Sequence, residues 1–127
     1  MTRVLVVDDD RDGADGLTMF FEALGHHTAT AYNGAEALEV SGIFKPDVIV
    51  LDIEMPVMNG FEAARFLRDQ SNDTRPFLVA LTGLAGDDLE ARTKACGFDF
   101  YMAKPADLVR LGVVVEQLRP GLRQAQG

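Results

Sequence analysis

Tryptophan is missing from this chain of 127 residues, cysteine occurs once, and aromatic residues reach only 8%. A core must therefore be built from Phe, Leu, Val and Ala, and with 47% hydrophobic residues there is ample material for one. The single cysteine, Cys96, excludes an intrachain disulfide and fits a reducing compartment; its expected role is that of a small buried hydrophobe. No apolar run is long enough to cross a bilayer. The run Val4 to Val7 is too short for a secretory signal and ends in acids, so a cytoplasmic location is expected. Positive charge is scarce as well: 12 Lys and Arg stand against 20 Asp and Glu, a net charge of -8. That balance argues against direct binding to nucleic acid, which is driven by neutralising phosphates, and against an anionic membrane surface. The length fits one domain, which we place over residues 1–121, with a polar tail over 122–127.

What is present is an alternation of short apolar runs with segments of helical period. Arg3 to Val7 is a continuous Val-rich run, the mark of a strand buried on both faces. Leu17, Phe20, Phe21 and Leu24 then recur at helical spacing from Gly13 onward, with Gly25 as C-terminal cap. A short strand over Thr28 to Ala31 follows, and Asn33 with Glu36 reads as a capping box opening a helix that ends near Gly42. Asp47 to Leu51 is a second strong strand. Asn59 with Glu62 repeats the cap, ahead of Ala64, Phe66 and Leu67. Phe77 to Leu81 predicts a strand, Asp87 to Ala95 a short helix ended by Gly97, and Asp99 to Met102 a fifth strand. Leu108, Leu111, Val115 and Leu118 form a last helical stripe, stopped by Pro120-Gly121. Such alternation predicts an α/β fold, a doubly wound five-stranded parallel sheet of flavodoxin-like order 2-1-3-4-5 with helices on both faces.

In sheets of this kind ligands bind beyond the carboxyl ends of the strands. Asp8 and Asp9 follow the first strand, Asp52 the third, Thr82 the fourth, and Lys104-Pro105 the fifth. Three carboxylates, a hydroxyl and an ammonium would share one shallow pocket. Crowded carboxylates must take up protons or bind a cation, and one lysine is insufficient for three acids. A hard divalent ion with oxygen ligands supplies the rest, as Mg2+ does in sites with one or two carboxylates plus phosphate oxygens. The same set suits phosphoryl transfer, in which a carboxylate serves as nucleophile. Asp52, ending the central strand, is the natural candidate.

The segments Val4 to Asp10, Leu51 to Gly60, Ala80 to Gly83 and Ala103 to Pro105 resemble, in order and spacing, the signature stretches of response-regulator receiver domains. The resemblance implies a phosphorylation-activated switch of a two-component or phosphorelay system, catalysing its own phosphoryl transfer and autodephosphorylation rather than turning over small substrates. It makes Asp52 the phospho-acceptor. It gives Mg2+ or Mn2+ to Asp8, Asp9, Asp52 and the backbone carbonyl of Glu54. It has Thr82 bond a phosphoryl oxygen and Lys104 pair with Asp52 and then with the phosphoryl group. It makes Tyr101 the switch aromatic and the Lys104-Pro105 bond cis, in keeping with the confinement of cis peptides to proline. The implied partners are a sensor histidine kinase or histidine phosphotransfer protein and an unnamed output partner, with phosphorylation-dependent homodimerisation left open. Two departures stand out: Glu54, two past the acceptor at a position variable in the family and linked to dephosphorylation rate, and Gly83, where many relatives carry Ala.

Simpler roles suffice elsewhere. Asp10 and Asp12 read as helix-capping acids, Met55 and Met58 as gap-filling apolar contacts, and His26-His27 as a solvated pair without metal-ligand spacing. A haloacid-dehalogenase-like phosphatase places its Asp-x-Asp pair after the first strand, unlike Asp52-Ile-Glu54. A flavodoxin-like carrier would find its flavin phosphate repelled by Asp8, Asp9 and Asp10.

Overall fold

The computed structural model describes residues 2–70, 75–83 and 89–117. Five parallel strands, β1 (Arg3–Val7), β2 (His27–Ala31), β3 (Val48–Asp52), β4 (Phe77–Thr82) and β5 (Phe100–Ala103), lie in the order β2-β1-β3-β4-β5. Helices α1 (Arg11–Ala23), α2 (Gly34–Phe44), α3 (Gly60–Gln70), α4 (Leu89–Ala95) and α5 (Leu108–Gln117) connect and cover them. The three inner strands carry the strongest apolar runs because both their faces are covered: every residue of β3 and β4 is buried. The edge strand β2, His-Thr-Ala-Thr-Ala, is half exposed and reads weakly for the same reason.

Alternation along the strands divides the core in two. Leu5, Val7, Ile49, Leu51, Leu78 and Ala80 pack with residues of α2 and α3 on one face. Val4, Val6, Val48, Val50, Val79 and Leu81 pack with Ala14 and Phe21 of α1 and Leu111 and Val115 of α5 on the other.

The helix ends follow local chemistry. Asn59 Oδ1 accepts from the Glu62 amide (3.0 Å) while Glu62 Oε1 accepts from the Asn59 amide (3.3 Å), a complete reciprocal box. At α2, Asn33 Oδ1 accepts from the Glu36 amide (2.8 Å), but Glu36 reaches one residue further back, to the Tyr32 amide (2.9 Å). Two boundaries differ from the sequence reading. Helix α1 begins at Arg11 rather than Gly13, because its first turn is polar and solvated, with Asp12 favourably placed at the positive end of the helix dipole. Helix α2 runs past Gly42 to Phe44 and stops where Lys45 turns left-handed (φ 56) ahead of Pro46, which cannot continue a helix.

Burial corrects four further expectations. His26 is buried, its Nε2 3.1 Å from Glu116 Oε1 on α5, so only His27 is solvated. Cys96 is half-buried against the core edge, and Phe66 points to solvent while Phe61, Ala63, Ala64 and Leu67 carry the inner face of α3. Leu108 is half exposed, so the inner stripe of α5 rests on Leu111 and Val115. Leu118, Pro120-Gly121, residues 87–88 and the tail 122–127 lie outside the described residues.

Opposite the carboxyl edge, one arginine ties α3 to two other segments. Arg68 of α3 donates to the Gly97 carbonyl from Nε (3.0 Å) and Nη2 (2.6 Å), to the Pro76 carbonyl from Nη1 (2.5 Å), and to Asp99 Oδ2 (2.7 Å), which also accepts from the Leu78 amide (3.0 Å). Both side chains are largely shielded from water. Arg68→Ala is expected to cost about 2 kcal/mol, since removing one partner leaves the others desolvated. Urea unfolding should show a lower midpoint at unchanged slope. Lys in its place should recover little, having no planar fork to serve several acceptors.

Candidate functional site

Parallel register delivers the site. Val7 pairs with Leu51, Asp52 with Leu81 and Thr82 with Ala103, so the residues ending β1, β3, β4 and β5 are level. Asp8 leaves β1 with its amide bonded to the Ala31 carbonyl (3.1 Å), and Lys104 leaves β5 with its amide bonded to the Thr82 carbonyl (2.8 Å). After Asp52 the chain turns back sharply: the Gly60 amide bonds the Ile53 carbonyl (2.8 Å), and a Cβ on Gly60 would stand 2.4 Å from Ile53 Cα and 2.6 Å from the Asp52 carbonyl oxygen. Only glycine allows that approach, which ties the start of α3 to the acid.

Asp52 is 2% exposed, and its Oδ1 accepts from Lys104 Nζ (2.8 Å) and from the Glu54 amide (3.1 Å). Two donors on one oxygen fix the plane of the carboxylate. Asp8, half-buried, accepts from the Asp10 amide (3.0 Å), and Asp9 is exposed. One carboxylate oxygen from each of Asp8, Asp9 and Asp52 lies within 4.8 Å of the others. Hard oxygen donors at that spacing fit a divalent cation such as Mg2+ or Mn2+. Titration points the same way. The Asp8 carboxyl is raised to about 6, chiefly by burial, with the charge and hydrogen bond of Asp52 adding to the rise and the Asp10 amide and Lys104 acting against it. Burial alone would lower Lys104, but the Asp52 hydrogen bond and charge, with Asp8 and Glu54 behind them, outweigh it and hold the ammonium above its usual value. The cluster carries more negative charge than its lysine balances.

Thr82 is wholly buried, its hydroxyl donating to Glu54 Oε1 (3.1 Å), and the Gly83 amide donates to the same oxygen. The family resemblance implied a role for the Glu54 backbone and marked its side chain as a departure; that this side chain reaches across to the end of β4 left no periodic signal, because its partners are 28 and 29 residues away. The Lys104-Pro105 peptide is cis. Tyr101 stands apart from the acids, 39% exposed, lining a cavity of about 430 Å3 with Lys94, Phe100, Met102 and Arg110. A second cavity, of about 620 Å3, opens over Asp8 and Lys104 between the first turns of α1 and the β5–α5 loop, walled by Leu17, Leu81 and Pro105.

Known proteins share the sequence pattern and the fold. The response regulator receiver domain model matches residues 4–116. The transcriptional regulatory protein PrrA of Mycobacterium tuberculosis is 42% identical over 116 residues, which are 91% of this chain and 49% of PrrA. Protein PilH of Pseudomonas aeruginosa is 35% identical over 84% of this chain and 88% of its own length. The chain thus spans about half the length of the PrrA relatives it matches and most of PilH. Among solved structures, the Vibrio cholerae chemotaxis protein CheY4 superposes with a TM-score of 0.86 at 30% identity, covering 93% of this chain and 98% of that one. The receiver domain of a histidine kinase from Syntrophus aciditrophicus gives 0.85 at 31% identity, covering 98% and 94%. By sequence and by fold, the chain belongs to the response regulator receiver domains, phosphorylation-dependent signalling modules of two-component systems rather than turnover enzymes.

Proposed function

We propose that Asp52 accepts a phosphoryl group from a phosphohistidine of a sensor kinase or phosphotransfer protein, and that the domain later hydrolyses the acyl phosphate itself. The observation that carries this is the geometry of Asp52: a buried carboxylate with one oxygen pinned by Lys104 and the Glu54 amide, grouped with the carboxylates of Asp8 and Asp9. Pinning one oxygen leaves the other to attack phosphorus in a fixed direction, and orientation of this kind removes much of the barrier. The P–N bond of the donor breaks, the Asp52 O–P bond forms, and the imidazole leaves with the electron pair. Lys104 then pairs with a phosphoryl oxygen, and the Thr82 hydroxyl and Gly83 amide, adjoining at the end of β4, donate to the others. In the hydrolytic step water attacks phosphorus and the Asp52 carboxylate is restored as inorganic phosphate leaves.

Asp8, Asp9, Asp52 and the Glu54 carbonyl would hold Mg2+ or Mn2+. Its contribution when bound is to neutralise charge spread over the transferring oxygens. The cavity between α1 and the β5–α5 loop suits entry of the donor imidazole, since its apolar wall and acidic floor lead directly to Asp8 and Lys104. In the output step Thr82 moves toward the phosphoryl group and Tyr101 turns inward, biasing a two-state equilibrium read on the face of α4, β5 and α5. We place the domain in the cytoplasm, beside its kinase; among the described residues no helix is long and apolar enough to cross a membrane.

The test is intact-protein mass spectrometry after incubation with acetyl phosphate, with and without Mg2+, followed by borohydride reduction and peptide mapping. A Mg2+-dependent phosphate adduct, with the reduced residue at position 52, is the expected result. A folded protein that takes up no phosphate would sink the reading and leave a receiver that signals by binding alone.

A further inference from the structure

Glu54, two residues past Asp52, and Gly83, one past Thr82, meet in the structure. Glu54 Oε1 accepts from the Thr82 hydroxyl (3.1 Å) and from the Gly83 amide. A Cβ built on Gly83 would stand 3.2 Å from each Glu54 carboxylate oxygen, closer than side-chain carbons ordinarily approach. The missing methyl group of Gly83 therefore makes room for the Glu54 carboxylate at the end of β4. A carboxylate is a partial likeness of a phosphoryl group: planar rather than tetrahedral, but anionic, with oxygens spaced to take donors of this kind. It also adds a fourth acid to a cluster with a single ammonium, and its charge-assisted hydrogen bonds, together with attraction to Lys104, offset that repulsion.

We propose that Glu54 is a positioning residue that occupies the Thr82 hydroxyl and the Gly83 amide as an internal anion, and that an incoming phosphoryl group must displace it to reach them. The proposal rests on the reading of Asp52 as acceptor, because only a group bound there competes for the same two donors. Glu54 thereby raises the threshold for phosphorylation and for retention of the phosphoryl group, and Gly83 is its structural counterpart. Replacing the side chain leaves the backbone carbonyl of residue 54 in place.

The experiment uses beryllofluoride, a phosphoryl analogue, titrated with Mg2+ into wild type and the variants Glu54→Ala, Glu54→Asp and Gly83→Ala. The Gly83 amide is followed by NMR, or the residue-83 amide where alanine replaces it. Glu54→Asp keeps the charge but shortens the reach; Gly83→Ala keeps charge and amide but forces the carboxylate to give way by a few tenths of an ångström, which weakens its hold on the two donors. In protein free of metal and beryllofluoride, the Gly83 amide proton of wild type should lie downfield, and Glu54→Ala and Glu54→Asp should move it upfield. All three variants should bind beryllofluoride about five- to tenfold more tightly than wild type, the effect of two charge-assisted bonds no longer given up. Tighter binding by Glu54→Ala alone, with the charge-preserving variants unchanged, would show a general electrostatic effect and overturn the proposal. So would a Gly83 amide indifferent to Glu54. Beryllofluoride binding to none of the proteins, wild type included, would instead overturn the acceptor reading, and the competition with it.

Discussion

Asp52→Asn is expected to reduce phosphate uptake to background, a loss of about 10³-fold or more, because a neutral amide oxygen cannot form the acyl phosphate. The substitution is nearly isosteric. The introduced carboxamide retains an oxygen to accept from Lys104 and from the Glu54 amide, which now hold Oδ1 of Asp52 at 2.8 and 3.1 Å. A collapsed pocket is therefore not the expected cause of the loss. A second consequence checks that point in the same protein. Asp8 is raised to about 6 first by burial and then by the charge and hydrogen bond of Asp52. Removing the charge at position 52 should bring the Asp8 carboxyl down, though not to the ordinary range, because burial remains. Carboxyl carbon NMR across a pH titration reads that shift, and mass spectrometry reads the adduct. An adduct persisting on the Asp52→Asn protein would assign the acceptor to another acid of the cluster.

The residues that gather around Asp52 were legible because a parallel sheet converts strand order into proximity. Once β1, β3, β4 and β5 were recognised, the side chains just past their apolar runs had to meet, whatever the loops did. The inner strands announced themselves, since burial on both faces leaves no polar interruption in Val48 to Leu51 or Phe77 to Leu81. Asn33 and Asn59 announced their helices through side chains that cap within one turn. Features that depend on a neighbour distant in sequence were not legible. His26 looked solvated because nothing local reveals that Glu116 of α5 lies over it. Phe66 fitted a helical stripe as well as Leu67 does, and only packing of α3 against the sheet decides which of the two faces inward. Glu54 and Gly83 were visible as oddities in separate loops, and the end of β4 makes them one feature.

Mg2+ is expected to stabilise the wild-type domain by about 3 kcal/mol at a hundredfold excess over its dissociation constant, and Asp8→Asn is expected to abolish most of that gain. The pH dependence follows from the direction of the Asp8 shift. Its carboxyl titrates near 6 in the fold against 3.8 for the free group, so between those values the folded state holds more protons than the unfolded chain. Without metal, the Asp8 contribution to stability must therefore fall as pH rises from about 4 to 6 and stay level above. Asp8 is only partly buried, so solvent screening reduces this penalty to about 1 kcal/mol. The cation reverses the trend, because it binds the ionised carboxylate and so competes with the proton. Its stabilisation should be full above about pH 6 and fade toward about pH 4. In the Asp8→Asn variant the side chain keeps an oxygen for the Asp10 amide, which Asp8 now accepts at 3.0 Å, but it neither titrates nor supplies an anionic ligand. In metal-free urea unfolding the difference between the two proteins should grow in favour of Asp8→Asn from about pH 4 to 6. With saturating Mg2+ it should invert. A wild-type midpoint that ignores Mg2+ at about pH 7.5 would refute the cation site at Asp8, Asp9 and Asp52. A midpoint shift equal in both proteins would place the ion elsewhere.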